Sequence, residues 1–195
     1  MSQAKFKITI GLDRDGTINE DRGYIGHPDA FVPIDKSLEA VAQIRAKGYN
    51  IVVLTNQAGI SKGLMTPDDV DRVNQRMLEM LGEAGCPSID GIYYSTTSMK
   101  QDIYAKPNVG MFQRAEKETG VKFKGGAYVG DKMSDLKAAM KMGATPVLVR
   151  TGHGLETEQD LNKYAYREIK NDWSFNSESP AGNTGIKIIK REKVQ

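Results

Sequence analysis

Apolar residues occur along the chain in short runs separated by longer stretches in which they recur at helical spacing. The runs are continuous or alternate with small and polar residues, as in β-strands, and they cover residues 6–12, 50–54, 89–94, 127–129 and 146–149. In the stretches between them, apolar residues recur every three or four positions, which predicts amphipathic helices. Strands that alternate with helices predict an α/β fold with a doubly wound parallel sheet.

Helix boundary signals support this division of the chain. Thr66-Pro67-Asp68-Asp69 has the composition of a helix start, with Thr66 as the N-cap and Pro67 at the first helical position. A glycine follows most of the helical stretches, as expected where a helix ends. The predicted helices run from about Ile34 to Gly48, Thr66 to Gly85, Lys106 to Gly120 and Ser134 to Gly143.

The regular pattern weakens after Arg150. Residues 157–170 have helical spacing, whereas residues 171–185 are rich in Asn, Ser and Gly. We therefore predict a single catalytic domain over residues 1–170 and a flexible C-terminal tail over residues 171–195. Residues 186–190 are compatible with a late edge strand, but a basic tail is the simpler interpretation.

Composition excludes several classes of protein. A chain of 195 residues with 39% hydrophobic and 27% charged residues suits one globular domain. The net charge of +2 does not predict nucleic-acid binding. Cys86 is the one cysteine, so an internal disulfide or a multi-cysteine zinc site is excluded. No run reaches membrane-spanning length, and we expect a cytoplasmic monomer that binds no membrane.

Chemically active side chains cluster at the predicted carboxyl ends of the strands. In a right-handed parallel fold these ends meet at one edge of the sheet. The residues at these ends are Asp13, Asp15, Thr55, Lys106, Asp131 and Asp135. Carboxylates suit Mg²⁺, and a lysine and a hydroxyl suit phosphoryl oxygens, so the set predicts Mg²⁺-assisted phosphate chemistry.

The first pair of acids, Asp13 and Asp15, admits more than one interpretation. An Asp-x-Asp-Gly sequence is also common in ordinary turns. In a phosphate site, a carboxylate can itself be the nucleophile and form an aspartyl phosphate. Positive charge is then required, because an anionic carboxylate is repelled by an anionic phosphate.

The motifs resemble those of the haloacid dehalogenase-like phosphatases. The resemblance covers about residues 6–150 and depends on four motifs in the family's order, which are Asp13-x-Asp15-Gly16-Thr17, Thr55, Lys106 and Gly130-Asp131-x-x-x-Asp135. The sequences around these motifs are similar to the heptose 1,7-bisphosphate 7-phosphatase branch, with the histidinol-phosphatase branch as a near relative. Only short insertions separate the motifs, so no large cap domain is expected.

The resemblance implies a role for each motif residue. Asp13 would be the nucleophile, and Asp15 would protonate the leaving oxygen and then take a proton from water. Thr55 and Lys106 would hold the phosphoryl group, with Asn56 and Gln57 also assigned to substrate binding. Mg²⁺ would be held through Asp13, Asp15 (by its backbone carbonyl), Asp131 and Asp135.

Two positions depart from the heptose bisphosphatase branch. That branch usually has a zinc loop of Cys and His before the motif lysine, but residues 95–105 contain neither, so no structural zinc is expected. It also tends to have an arginine just before the lysine, for a second phosphate, where this chain has Ala105. These departures affect the identity of the substrate and leave the catalytic motifs intact.

The leading hypothesis is a Mg²⁺-dependent phosphomonoesterase that acts on a small phosphorylated metabolite, such as D-glycero-D-manno-heptose 1,7-bisphosphate. The enzymatic alternatives are histidinol phosphate and a nucleotide or nucleic-acid 3′-phosphate. A catalytically silent module that binds a phosphorylated ligand is the alternative from another class.

Overall fold

One parallel sheet organises the part of the chain that the computed structural model describes, residues 7–168 and 187–189. Its strands in chain order are β1 (Thr9–Leu12), β2 (Asn50–Asn56), β3 (Gly91–Ser95), β4 (Ala127–Gly130), β5 (Thr145–Val149) and β6 (Lys187–Ile189). Their spatial order is β3-β2-β1-β4-β5-β6, and every neighbouring pair is parallel. This is the doubly wound arrangement that the sequence predicts.

Helices connect consecutive strands of the sheet. They are α1 (Ser37–Ala46), α2 (Pro67–Glu83), α3 (Gly110–Thr119), α4 (Met133–Lys141) and α5 (Gly154–Glu168). Thr66 caps α2 as predicted, because its hydroxyl accepts a hydrogen bond from Asp69 N at 3.2 Å. Within residues 7–168 the other connections are loops and one short 3-10 turn, Pro28–Ala30, so this part of the chain contains no separate cap domain.

The sheet is buried on both faces. Along β2, Ile51 and Val53 pack into a core that includes apolar residues of α1 and α2. Val52 and Leu54 belong to a second core, built with residues of α3 and α4. A strand that is covered on both sides has to be apolar at every position, which explains the continuous apolar run in β2.

The segment around Lys106 differs from the sequence-based prediction. We expected a helix to begin at Lys106-Pro107, but α3 begins at Gly110. The main chain at Lys106 is instead bound by the Asn56 side chain, and Gly110 N donates to Ile103 O at 2.8 Å. These tertiary hydrogen bonds outweigh the helix-start signal of the proline.

The C-terminal strand β6 pairs with β5 at one edge of the sheet, with Leu148 opposite Ile188. The structure therefore favours the edge strand over the basic tail for this segment. The rest of the predicted tail, and the end of the predicted helix at residues 169–170, lie outside the described residues. None of the helices described is long and apolar enough to cross a membrane.

Candidate active site

The carboxyl ends of β1 and β4 lie side by side in the middle of the sheet. The chain turns in opposite directions from these two strands, since β2 and β3 follow on one side and β5 on the other. Open α/β sheets bind their ligands at such a switch point. Asp13 follows β1 and Asp131 follows β4, and Asp13 N donates to Val129 O at 2.8 Å. Two of the predicted acids therefore stand at adjacent strand ends.

Lys106 reaches the same edge from the segment between β3 and α3. The Asn56 side chain at the end of β2 holds this segment through both of its polar atoms. Its Nδ2 donates to Lys106 O at 3.1 Å, and its Oδ1 accepts from Lys106 N at 3.0 Å. Asn56 lines the cleft, and its two hydrogen bonds position Lys106. Its assignment to substrate binding stays a prediction.

The Lys106 ammonium is buried among oxygen atoms. Nζ donates to Asp13 Oδ1 at 2.8 Å, to Leu54 O at 2.8 Å and to Tyr128 Oη at 2.9 Å. It also lies 2.7 Å from Asp135 Oδ1, an ion-pair contact. Burial alone would lower the pKa of Lys106, but the Asp13 and Asp135 carboxylates hold it well above its usual value. Lys106 is therefore a fixed positive charge in the site.

Asp13, Asp131 and Asp135 form a buried cluster. Each offers one carboxylate oxygen, and these oxygens lie within 4.8 Å of one another. Burial raises the pKa of Asp13 to about 7, against the opposing effect of Lys106, and the two neighbouring acids add to the rise. Burial likewise raises the pKa of Asp131 to about 6. Lys106 contacts two of these three buried carboxylates, and Lys132, whose charge also opposes the rise at Asp131, is paired with Asp21. The cluster therefore favours a further cation.

The donor set fits Mg²⁺. Asp131 Oδ1 is buried and has no hydrogen-bond partner among the described residues, whereas Oδ2 of the same carboxylate accepts from His153 N at 2.8 Å. A buried carboxylate oxygen without a partner is costly unless a cation approaches it. Hard carboxylate oxygens are the ligands that Mg²⁺ prefers. The Asp13, Asp131 and Asp135 side chains could therefore hold the ion.

Two glycines allow the chain to pass close to Asp131. A Cβ atom on Gly16 would lie 2.2 Å from Asp131 Oδ2, and a Cβ on Gly152 would lie at the same distance from that oxygen. Gly16 also has a φ of 85°, in the left-handed region. The Gly16 of the first motif is thus required by both space and backbone conformation.

Asp15 belongs to a separate hydrogen-bond network. Its carboxylate accepts from Gln57 Nε2 at 2.7 Å, from Asn19 Nδ2 at 2.9 Å and from Arg14 Nη2 at 3.1 Å. Thr55 Oγ1 lies 3.5 Å from Asp15 Oδ2 and accepts from Gln57 Nε2 at 2.9 Å. The side chain of Asp15 therefore lies apart from the three-carboxylate cluster and is fixed in orientation. Gln57 and Thr55 link it to the end of β2.

A cleft of about 570 Å³ opens over these residues. Both networks reach its wall, together with polar residues from four surrounding loops. The lining residues that were not predicted as site residues include Asp21, Tyr24, Ser98, Lys100, Lys132 and His153. A cleft of this size suits a small phosphorylated metabolite.

Comparison with known proteins identifies the family. The family model described as polynucleotide kinase 3 phosphatase matches residues 12–192. Relatives with substantial identity over most of the chain are named as phosphatases. The chain belongs to the haloacid dehalogenase-like phosphatases. It is therefore a phosphatase, and the alternative of a catalytically silent module is not supported.

The relatives of this phosphatase include heptose bisphosphatases. It is 38% identical to the D-glycero-D-manno-heptose-1,7-bisphosphate 7-phosphatase of Chlorobaculum tepidum, over 75% of this chain and 80% of the relative. The corresponding β-anomer enzyme of Salmonella typhi is 35% identical, over 89% and 93%. The crystal structure of a D,D-heptose 1,7-bisphosphate phosphatase from B. bronchiseptica, complexed with magnesium and phosphate, matches with a TM-score of 0.76 and 27% identity, over 95% of this chain and 93% of that chain.

Some residues of the phosphatase site were missed by the sequence-based prediction. Arg14 is fully buried and bridges Asp15 to Asn74, with Nη1 2.8 Å from Asn74 Oδ1. Lys132 Nζ donates to Asp21 Oδ2 at 2.8 Å across the cleft wall. Arg14 and Lys132 each stand next to a motif aspartate. That adjacency was the one signal in the sequence that could have drawn attention to them.

Hydrogen bonds organise the segment before Lys106, residues 95–105. Ser95 Oγ donates to Thr97 O at 2.8 Å, and Met99 N donates to Thr97 Oγ1 at 3.0 Å. The Asn108 side chain then donates to Lys100 O and to Asp102 O, both at 2.8 Å. Hydrogen bonds between side chains and the main chain thus hold the segment both near its start and near its end.

His27 and Cys86 lie away from this centre. His27 is exposed and accepts a hydrogen bond from Asp29 N at the 3-10 turn, and it does not line the cleft. Cys86 is buried, and burial raises the pKa of its thiol. Neither residue lines the cleft.

Proposed function

We propose that this phosphatase is a Mg²⁺-dependent phosphomonoesterase that works through an aspartyl phosphate on a small sugar phosphate. The observation that carries the proposal is the position of Lys106. Its ammonium contacts Asp13 and Asp135, while the neighbouring Asp131 presents a carboxylate oxygen that has no hydrogen-bond partner in the described part of the chain. Such a centre supplies a nucleophile, a fixed cation and a place for a metal ion within one buried cluster.

Mg²⁺ would be held by Asp13 and Asp131, with Asp135 as a direct or water-mediated ligand and the Asp15 carbonyl completing the protein donors. When bound, the ion would supply positive charge that offsets the repulsion between the Asp13 carboxylate and the phosphate. Burial raises the pKa values of Asp13 and Asp131, so the ionised carboxylates are costly without a cation beside them. A bound cation would lower both pKa values and keep the acids ionised, which supports this assignment.

In the first half-reaction, a carboxylate oxygen of Asp13 attacks phosphorus and forms the O–P bond of an aspartyl phosphate. The bond between phosphorus and the sugar oxygen breaks at the same time, and Asp15 donates a proton to that oxygen. Lys106 and Thr55 hold the phosphoryl oxygens, which carry the negative charge that develops in the transition state.

In the second half-reaction, Asp15 takes a proton from a water molecule that attacks phosphorus. The bond from phosphorus to Asp13 breaks, so inorganic phosphate leaves and the Asp13 carboxylate is restored. The hydrogen bonds to Asp15 from Gln57 and Asn19 keep its carboxylate in one place through both steps.

Heptose 1,7-bisphosphate is the substrate that we favour. Relatives with 35% and 38% identity carry that name, and the cleft of about 570 Å³ suits a ligand of this size. Ala105 is fully buried and uncharged, so a second phosphate would have to be recognised by other cleft residues. Histidinol phosphate and a nucleotide or polynucleotide 3′-phosphate are the alternatives, the last because of the description of the family model.

Phosphate release from a panel of these compounds, with Mg²⁺ and with a chelator, tests the proposal. We expect Mg²⁺-dependent release of one phosphate from heptose 1,7-bisphosphate, with much lower rates for the other compounds. With p-nitrophenyl phosphate, whose leaving group needs no protonation, mass spectrometry after rapid acid quench should find a phosphoryl group on the Asp13 peptide of Asp15→Asn. Equal rates in the chelator would contradict the metal requirement.

A preference for another compound in the panel would replace the proposed substrate without changing the reaction. The cytoplasmic location and the monomeric state remain predictions. Sedimentation of the purified protein tests the second of these.

A further inference from the structure

Tyr128 lies in β4, in the core of the sheet, and its hydroxyl reaches the active site. The side chain is fully buried. Its hydroxyl accepts a hydrogen bond from Lys106 Nζ at 2.9 Å and donates one to Leu54 O at 2.6 Å. A residue of the sheet core is thereby connected to the lysine that the proposed reaction requires.

Packing explains the ring of Tyr128 but not its hydroxyl. The ring lies 4.9 Å from that of Phe112, in a cluster that also contains Phe123. It fits over β1 because Gly11, its partner in the sheet register, has no side chain, and a Cβ there would lie 2.4 Å from the Tyr128 ring. A phenylalanine would fill the same space. A buried hydroxyl has a desolvation cost, so its hydrogen bonds are the feature that requires an explanation.

The contacts of Lys106 fall into two groups. An ammonium has three hydrogens to donate. Four oxygen atoms surround this one: Asp13 Oδ1 and Asp135 Oδ1 on one side, and Leu54 O and Tyr128 Oη on the other. The two carboxylates are the groups that would turn to phosphorus and to the metal. The carbonyl and the phenol have no other role in the reaction and stay in place.

We propose that Tyr128 is a positioning residue, whose hydroxyl, together with the Leu54 carbonyl, holds the Lys106 ammonium against the phosphoryl site while Asp13 reacts. The inference rests on the proposed function, in which Lys106 binds the phosphoryl group. Burial holds the pKa of Tyr128 well above its usual value, so the phenol stays neutral and can both accept and donate. The lysine then needs no reorientation when its contact with Asp13 is lost.

The variant Tyr128→Phe tests this role, because it keeps the ring and removes the hydroxyl. With p-nitrophenyl phosphate and saturating Mg²⁺, we expect kcat to fall about tenfold, as for the loss of one hydrogen bond to a charged group. KM and the melting temperature should change little. Tyr128→Met provides a second variant without the hydroxyl and should lose kcat to a similar extent.

Tyr93→Phe is the matched control, because Tyr93 lies on β3 outside the cleft. This variant should retain the native kcat. An unchanged kcat in both Tyr128 variants would overturn the proposal. So would a lower melting temperature with unchanged kinetics, since that result indicates a purely structural role.

Nuclear magnetic resonance of the Lys106 ammonium separates this inference from the proposed function. In the native protein the ammonium hydrogens should exchange slowly with water, and in Tyr128→Phe they should exchange several-fold faster. If the native enzyme releases no phosphate from any ester, the proposed function fails, and the exchange rates still decide whether Tyr128 holds the lysine. Equal exchange rates in both proteins would contradict the inference.

Discussion

Lys106 Nζ lies 2.8 Å from Asp13 Oδ1, and both side chains are almost completely buried. Burial of a single charge is costly, and each member of this pair is stabilised by the other. The pair also joins a lysine from an irregular segment to the end of the first strand. Its chemistry and its energetics can therefore be tested separately, by neutralising one partner at a time.

Neutralising the proposed nucleophile should abolish turnover and preserve the fold. In Asp13→Asn we expect phosphate release to fall at least about a thousandfold, because the amide cannot form the covalent intermediate. The fold should remain, because asparagine has nearly the same shape as aspartate. The substitution also removes a carboxylate whose burial is unfavourable, since burial raises the pKa of Asp13 to about 7. Steady-state kinetics and thermal melting measure the two effects. Asp29→Asn, which makes the same substitution at an exposed position, is the control. Turnover by Asp13→Asn above that of a purified blank would exclude Asp13 as the nucleophile.

Removing the lysine should weaken the metal-free protein more than the Mg²⁺-loaded one. In Lys106→Met the cluster of Asp13, Asp131 and Asp135 loses the ammonium that contacts Asp13 and Asp135, so we expect a lower melting temperature in chelator. Mg²⁺ should then raise the melting temperature by a larger increment than in the native protein. Differential scanning calorimetry with and without Mg²⁺ gives both values, and an equal Mg²⁺ increment in the two proteins would contradict the shared electrostatic role.

The metal-free protein should lose stability as the pH rises. The folded-state pKa values of Asp13 and Asp131, about 7 and about 6, lie above 3.8, the ordinary value for an aspartic acid side chain. Below that value both states bind the proton. Between pH 3.8 and about pH 7, the folded state keeps these protons and the unfolded state releases them. The free energy of unfolding therefore falls as the pH rises through this range, and the loss is complete above pH 7.

We therefore expect a higher melting temperature in chelator at pH 5.5 than at pH 8, as far as these two acids determine it. Mg²⁺ should stabilise the protein more at pH 8, where the carboxylates are ionised. The variant Asp13→Asn should show a weaker pH dependence, and an unchanged dependence would assign it to other groups.

Adding one methyl group to Gly16 should disrupt the proposed metal site. In Gly16→Ala the new Cβ would overlap Asp131 Oδ2, at a distance of 2.2 Å. The alanine would also have to adopt a left-handed φ of 85°. Gly48→Ala is a matched control, because Gly48 has a φ of 83° and no atom within 4 Å of the added Cβ. We expect the control to cost about 1 kcal/mol of unfolding free energy, and Gly16→Ala to cost clearly more.

The same pair of variants should differ in metal binding. Calorimetric titration should show weaker Mg²⁺ binding by Gly16→Ala and native binding by Gly48→Ala. Equal costs and equal affinities in the two variants would show that the backbone conformation matters at Gly16 and the approach to Asp131 does not.

The sequence by itself determined the fold class and the order of the reactive residues. Apolar runs such as Ile51–Leu54 specify buried strands because both faces of the sheet are covered. Acids placed directly after β1 and β4 must meet at one edge, since parallel strands end on the same side. These relationships are local in the chain or follow from topology alone, so they can be predicted without coordinates.

The tertiary structure alone decided how the site is held together. Asn56 binds the main chain of Lys106 from 50 residues away, which replaces the predicted helix start at Lys106 by an irregular segment. Tyr128 reaches the Lys106 ammonium because Gly11 on the neighbouring strand leaves room for its ring. The Asp15 side chain turns toward Gln57 and Arg14 and away from the acid cluster. Such contacts depend on the three-dimensional direction of each side chain, which the spacing of residues along the chain does not specify.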